Sequence, residues 1–108
     1  MNVSELCEAL GAEAIVMPSP EREITGAYVG DLLSWVMGRA EADSVWVTIM
    51  SNINVIAVAS LSGVACVVLS EGVVPDEDAV KRAEIQEINL LSTTKTSYEV
   101  CAALSKII

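Results

Sequence analysis

The polar residues that could act chemically in this chain stand at the ends of its β-prone runs. Thr48 with Ser51 and Asn52 follows one run, Ser70 with Glu71 and Gly72 a second, and Ser92 with Thr93 and Thr94 a third. Hydroxyls, an amide and helix N-termini gathered there suit a small polar or anionic ligand, because open α/β sheets bind ligands outside the carboxyl ends of their strands. Thr25 and Gly26 add a further place, at a glycine-hinged turn where backbone N–H groups can face outward. The expected ligand-binding set is therefore Thr25, Gly26, Thr48, Asn52, Ser70, Ser92 and Thr93, converging on one crevice, with a nucleotide phosphate as a fitting anion. Ser, Thr and Asn also cap helices and turn loops in every fold, so plain capping accounts for the same residues.

Catalytic machinery is thin. The chain has no histidine, so a general base would have to be a carboxylate, lysine or tyrosine, with Asp31 and Glu71 the candidates near a sheet edge. No serine or cysteine has an evident base partner, and no glycine run ends in Gly-Lys-Ser/Thr to cradle phosphates. Cys7, Cys66 and Cys101 are odd in number and widely spaced, without a Cys-x-x-Cys pair. That spacing excludes zinc-ribbon sites and fits reduced, buried thiols in a cytoplasmic protein. No catalytic residue, metal or cofactor is expected, which points to a binding or regulatory module rather than an enzyme.

The elements that must position these residues are bounded by the bulk composition. A formal charge of −9 and a pI near 4.2 exclude a nucleic-acid binder and disfavour anionic membrane surfaces. Hydrophobic residues make up 53% and the mean hydropathy is +0.53, yet there are only two Trp, two Tyr and no Phe. The core must be aliphatic, and the surplus of apolar surface predicts a homodimer. At 108 residues the chain holds one domain, 1–108. The nearly charge-free stretch 53–69 is about long enough for a membrane span, but Ser62 and Gly63 divide it into two buried elements. The N-terminus lacks a basic region and an apolar signal core, so secretion is not expected.

The spacing predicts a helix over 3–10, capped by Asn2 or Ser4 and stopped at Gly11, then a strand over 14–17 ended by Pro18 and Pro20. Ile24 and Thr25 read as a second strand, followed by the glycine turn and a helix begun by Gly30 or Asp31 and ending near Gly38. Residues 44–49 read as a central strand. Asn52 caps a helix over 53–61 that is apolar on every side, hence buried between layers or at a subunit contact. A buried strand at 65–69, a helix to about Glu87, a short strand at 89–92 and a last helix opened by the Thr96/Glu99 capping box complete the chain. This alternation calls for an α/β fold with a mainly parallel sheet flanked by helices.

Arg22 followed by Thr25-Gly26 and a small residue at Ala27 resembles the signature of the DRTGG domain, and residues 28–34, 45–49, 54–61 and 90–93 continue in the manner of its small stand-alone members. The resemblance covers nearly the whole chain. Glu21 stands where the signature has Asp, and Ala27 where it has a second Gly, adding a methyl at the turn. The domain is similar to the N-terminal domain of HPr kinase/phosphorylase, which can lend stand-alone copies a serine-kinase label; this chain has no ATP-binding core to match it. Elsewhere the family accompanies CBS pairs in regulated pyrophosphatases or precedes a phosphotransacetylase, which implies sensing or assembly. Small copies resembling this one tend to be encoded near iron-only hydrogenase genes, so the alternative the resemblance implies is a protein–protein accessory module for a redox enzyme.

Overall fold

The computed structural model describes all 108 residues. Its elements run α1 (Val3–Leu10), β1 (Glu13–Val16), β2 (Gly26–Val29), α2 (Leu33–Arg39), β3 (Ser44–Thr48), α3 (Ile53–Ser62), β4 (Cys66–Leu69), α4 (Glu77–Gln86), β5 (Leu90–Ser92) and α5 (Ser97–Ser105). They form one α/β domain around a five-stranded sheet of order β1-β5-β4-β3-β2. β2, β3, β4 and β5 are parallel, and β1 closes the far edge antiparallel to β5, so the sheet is mainly parallel and mixed at one edge. No helix is long and apolar enough to cross a membrane.

Alternation along the strands builds two cores. Trp46, Val67, Leu69 and Leu90 point to one face, where Val36 of α2, Val55, Ile56 and Ala59 of α3, and Ala79 and Ala83 of α4 cover them. Val45, Val47, Cys66, Val68 and Leu91 point to the other, under Val3, Leu6 and Leu10 of α1 and Val100 and Leu104 of α5. Three helices therefore cover one face and two the other. The interior strands β3 and β4 are buried on both faces, which is why their sequences are near-continuous apolar runs.

Local capping works as its chemistry dictates at three places. Asn2 accepts from the Glu5 amide while Glu5 returns a bond to Asn2, and α1 ends at Gly11 in the left-handed region, φ 60°. Thr96 and Glu99 make the second capping box, at α5. Asn52 caps α3 through its side chain, and Gly63 closes that helix at φ 69°.

The glycine stretch folds differently from its local signals. Ile24 and Thr25 precede the strand, and Gly26 and Ala27 lie inside β2 rather than in a turn, paired with Ser44 and Val45. Extended backbone is open to glycine, and the parallel partner supplies what local propensity does not. α2 starts at Leu33 with Leu32 as its N-cap and no side-chain cap, so neither Gly30 nor Asp31 begins it. Gly30 instead makes room for an aromatic: a Cβ there would stand 3.1 Å from Cε2 of Tyr28. The Gly30 carbonyl also accepts from the buried Trp46 indole at 2.9 Å. α3 is not buried between layers within the chain: it turns Val55, Ile56, Val58 and Ala59 inward and leaves Leu61 74% exposed.

Candidate functional site

The parallel register sets the ends of three strands level, since Thr48 pairs with Leu69 and Leu69 with Ser92. The carboxyl edge thus gathers Thr48, Asn52, Ser70, Ser92 and Thr93, as strand polarity predicts. Most of these side chains are already occupied. Thr48 is buried, donates its hydroxyl to Asp31 at 2.7 Å and accepts from the Met50 amide at 3.2 Å. Asp31 also accepts from the Ile49 amide at 3.0 Å, so it ties the end of β2 to the end of β3. Asn52 accepts from the Asn54 amide, and the fully buried Ser70 hydroxyl bonds the Ser97 hydroxyl at 2.7 Å. Thr93 accepts from the Lys95 amide at 3.2 Å. Glu71, the other candidate base, accepts from the Ser97 amide at 2.8 Å and acts as a cap to α5. Ser92 alone of the five makes no side-chain hydrogen bond within the chain and remains partly exposed.

Thr25 and Gly26 lie elsewhere. They lead into β2, whose first residue pairs with Ser44 at the start of β3, so they occupy the amino edge of the parallel strands, opposite Thr48 and Ser92. Local reading took Gly26 as a turn following a strand; placing it at a strand start reverses the edge. At that end a hollow of about 200 Å³ includes Thr25, Gly26, Arg39, Glu41 and Ser44. Arg22 stands nearby in a structural role. Its guanidinium donates to Asp43 at 2.9 and 3.3 Å and to the Gly63 carbonyl at 2.6 Å. Thr25 donates its amide to the Asp43 carbonyl at 3.0 Å, and Asp43 itself holds a positive φ of 66°. The signature arginine therefore fastens three chain segments: the lead into β2, the lead into β3 and the α3–β4 turn.

A second hollow, of about 280 Å³, opens at the carboxyl edge between the α1–β1 turn and the loops after β4 and β5. Gly11, Glu13, residues 72–74 and residues 92–94 line it. Ser92 and Thr93 are the expected residues it contains. Gly72 and Thr94 stand at strand ends that the sequence also points to, whereas Gly11 and Glu13 do not, because only the antiparallel placement of β1 beside β5 brings the α1–β1 turn there. Glu71 and Gly72, both at positive φ, were the one local signal: a carboxylate and a glycine in consecutive left-handed conformations reverse the chain sharply. The amides of Val74 and Thr94 find no acceptor within the chain.

None of the three thiols is activated as a nucleophile. Burial pushes the Cys66 thiol up to about 12, with smaller opposing effects from Arg22, which lowers it, and Cys7, which raises it. Desolvation also raises Cys7, helped by Glu8, and raises Cys101. Glu99 is held below the usual carboxylate range chiefly by the Thr96 amide it accepts from, with the Thr96 hydroxyl and Lys95 adding to the effect. No three His, Cys, Asp or Glu side chains converge as a metal-holding group.

Comparison with known proteins adds a family and a fold. The DRTGG domain family model matches residues 5–107. Among solved structures, the CBS and DRTGG domains of the regulatory region of Clostridium perfringens pyrophosphatase, complexed with its activator diadenosine tetraphosphate, are similar with a TM-score of 0.75. The likeness covers 95% of this chain and 45% of that one at 13% sequence identity, so it is a likeness of fold, and this chain spans less than half of the other. No curated protein matches the sequence.

Proposed function

From the premise that this chain belongs to the DRTGG domain family, we propose that it is a non-catalytic regulatory module that senses a nucleotide or other small anion at the carboxyl edge of its sheet. The observation that carries this reading is the hollow beside β1 and β5, where the Val74 and Thr94 amides and the Ser92 hydroxyl are free to donate. Recognition there is by main chain and the Ser92 hydroxyl, since Thr48, Asn52, Ser70 and Thr93 are spent in capping and cross-bonding. The overall charge of −9 and Glu13 in the lining oppose an anion. Free N–H donors act at contact distance, whereas carboxylates outside the hollow are screened beyond about 8 Å at physiological salt, which leaves Glu13 as the lining charge the donors must outweigh. The regulatory setting is supported by the fold shared with the pyrophosphatase region, whose activator is a dinucleotide.

Thermal unfolding in the presence of ATP, AMP and diadenosine tetraphosphate tests the reading. A ligand at a hundred times its dissociation constant stabilises the fold by about 2.7 kcal/mol, a rise of several degrees in a domain of this size. Ser92→Ala is the informative variant, because that hydroxyl supports nothing else in the fold; Asn52→Ala would remove a helix cap and confuse the two effects. A shift that Ser92→Ala diminishes, with ATP recovered unhydrolysed, is the expected result. No shift from any of the three would leave the second reading, a protein–protein accessory module for a partner enzyme. That reading is favoured by the consumption of the edge side chains in capping.

A further inference from the structure

We infer that the chain pairs with a second copy of itself through the free edge of β2, joining two sheets across a twofold axis. β2 is the last strand of the sheet, and its outer edge pairs with nothing. The opposite edge is guarded: β1 carries a register shift between Ala14 and Val16 and runs into Pro18. Bulges, prolines and charges are the devices that keep edge strands from pairing. β2 has none of them, being Gly-Ala-Tyr-Val followed by Gly30.

An apolar groove of about 280 Å³ lies beside this edge, between β2 and α5, lined by Ala27, Val29, Val47, Cys101, Leu104 and Ile108. It exists because two helices cover this face and neither reaches over β2, leaving Val29 54% exposed. The occupant must therefore bring a strand for the edge and apolar side chains for the groove. A second copy brings both. Antiparallel pairing about an axis normal to the sheet puts both α5 helices on one face, so the two grooves run together and Val29 of each copy is covered. Charge fits as well. Residues 26–30 carry no charge, so two chains of −9 each meet where no carboxylate stands. Arg39 lies near the Gly26 end of β2 and Asp31 beyond the Val29 end, so reversal of direction sets each near its opposite in the other copy, with Glu41 beside Arg39 offsetting part of the attraction. A stable contact needs about 800 Å² per partner, roughly a seventh of the 5499 Å² surface.

Light scattering on the intact chain at micromolar concentration tests this, with Val29→Lys to block the edge and Leu61→Lys to block the exposed face of α3. The expected masses are about twice 11.4 kDa for the wild type and for Leu61→Lys, and 11.4 kDa for Val29→Lys with an unchanged circular dichroism spectrum. A single-copy mass for the wild type overturns the inference. So does a dimer that survives Val29→Lys, whether Leu61→Lys breaks it or not. Hydrogen exchange on the wild type decides the matter should Val29→Lys fail to fold: the outward-facing amides of Ala27 and Val29 must slow as concentration rises, and constant rates across the range contradict the pairing.

Discussion

Single residues in this chain are mostly committed to holding the fold, and the thiols show it most plainly. Cys66 lies on β4, fully buried among Val45, Val47 and Val68, and burial holds its thiol up to about 12. In the unfolded chain the same thiol ionises near its ordinary 9.0. Its contribution to stability is therefore fully present below about pH 9 and is lost as pH climbs toward 12, because the unfolded state alone sheds the proton in that window. Each unit is worth about 1.4 kcal/mol, so the loss approaches about 4 kcal/mol across the window. Denaturant unfolding at a series of alkaline pH values should show a shallower decline in Cys66→Ala than in the wild type; equal slopes would contradict the assignment. Asp31 and Glu71 tell the same story for the carboxylates. Each accepts a backbone amide at a strand or helix end, and Asp31 a hydroxyl as well, so both fasten chain segments together.

At the scale of elements, what was legible in the sequence was what is local in space. Asn2 with Gly11, Asn52 with Gly63, and Thr96 with Glu99 frame their helices within a few residues of chain, so residue type and spacing suffice. The apolar runs of β3 and β4 announced interior strands for the same reason. Non-local pairing leaves no such local mark. Gly26 looks like a turn until Ser44 is placed beside it, and the β1 edge cannot be predicted before β5 is known to lie antiparallel to it. Those two facts account for the candidate site: the first moved Thr25 and Gly26 to the wrong edge, and the second hid Gly11 and Glu13. Arg22 and Asn89 are the side chains that fix these distant junctions. The buried Asn89 amide accepts from the Ser19 amide and donates to the Ser19 and Ala65 carbonyls, pinning the segment after β1 to the start of β4. Arg22→Met should cost about 1–2 kcal/mol, because it strands Asp43 and the Gly63 carbonyl while its own partial exposure weakens the ion pair. Arg22→Lys should recover little of that, since an ammonium lacks the fork that reaches both partners. Urea unfolding of both variants checks this; a change within about 0.5 kcal/mol in Arg22→Met would show the junction to be dispensable.

At the scale of the whole molecule, the proposed site and the proposed contact occupy two different places. The sheet's carboxyl edge, near β1 and β5, offers free donors in a hollow, while the β2 edge offers an unpaired strand and an apolar groove. These lie at opposite ends of the strand order, so a ligand at one leaves the other free to pair. An amide chemical-shift titration of the uniformly labelled chain with ATP tests whether the first is the sensing site proposed above. Saturable shifts are expected at Gly72, Val74, Ser92 and Thr94, with the amides of β2 and α2 unmoved. Absence of shifts at millimolar ATP, or shifts confined to residues 26–30, would contradict it.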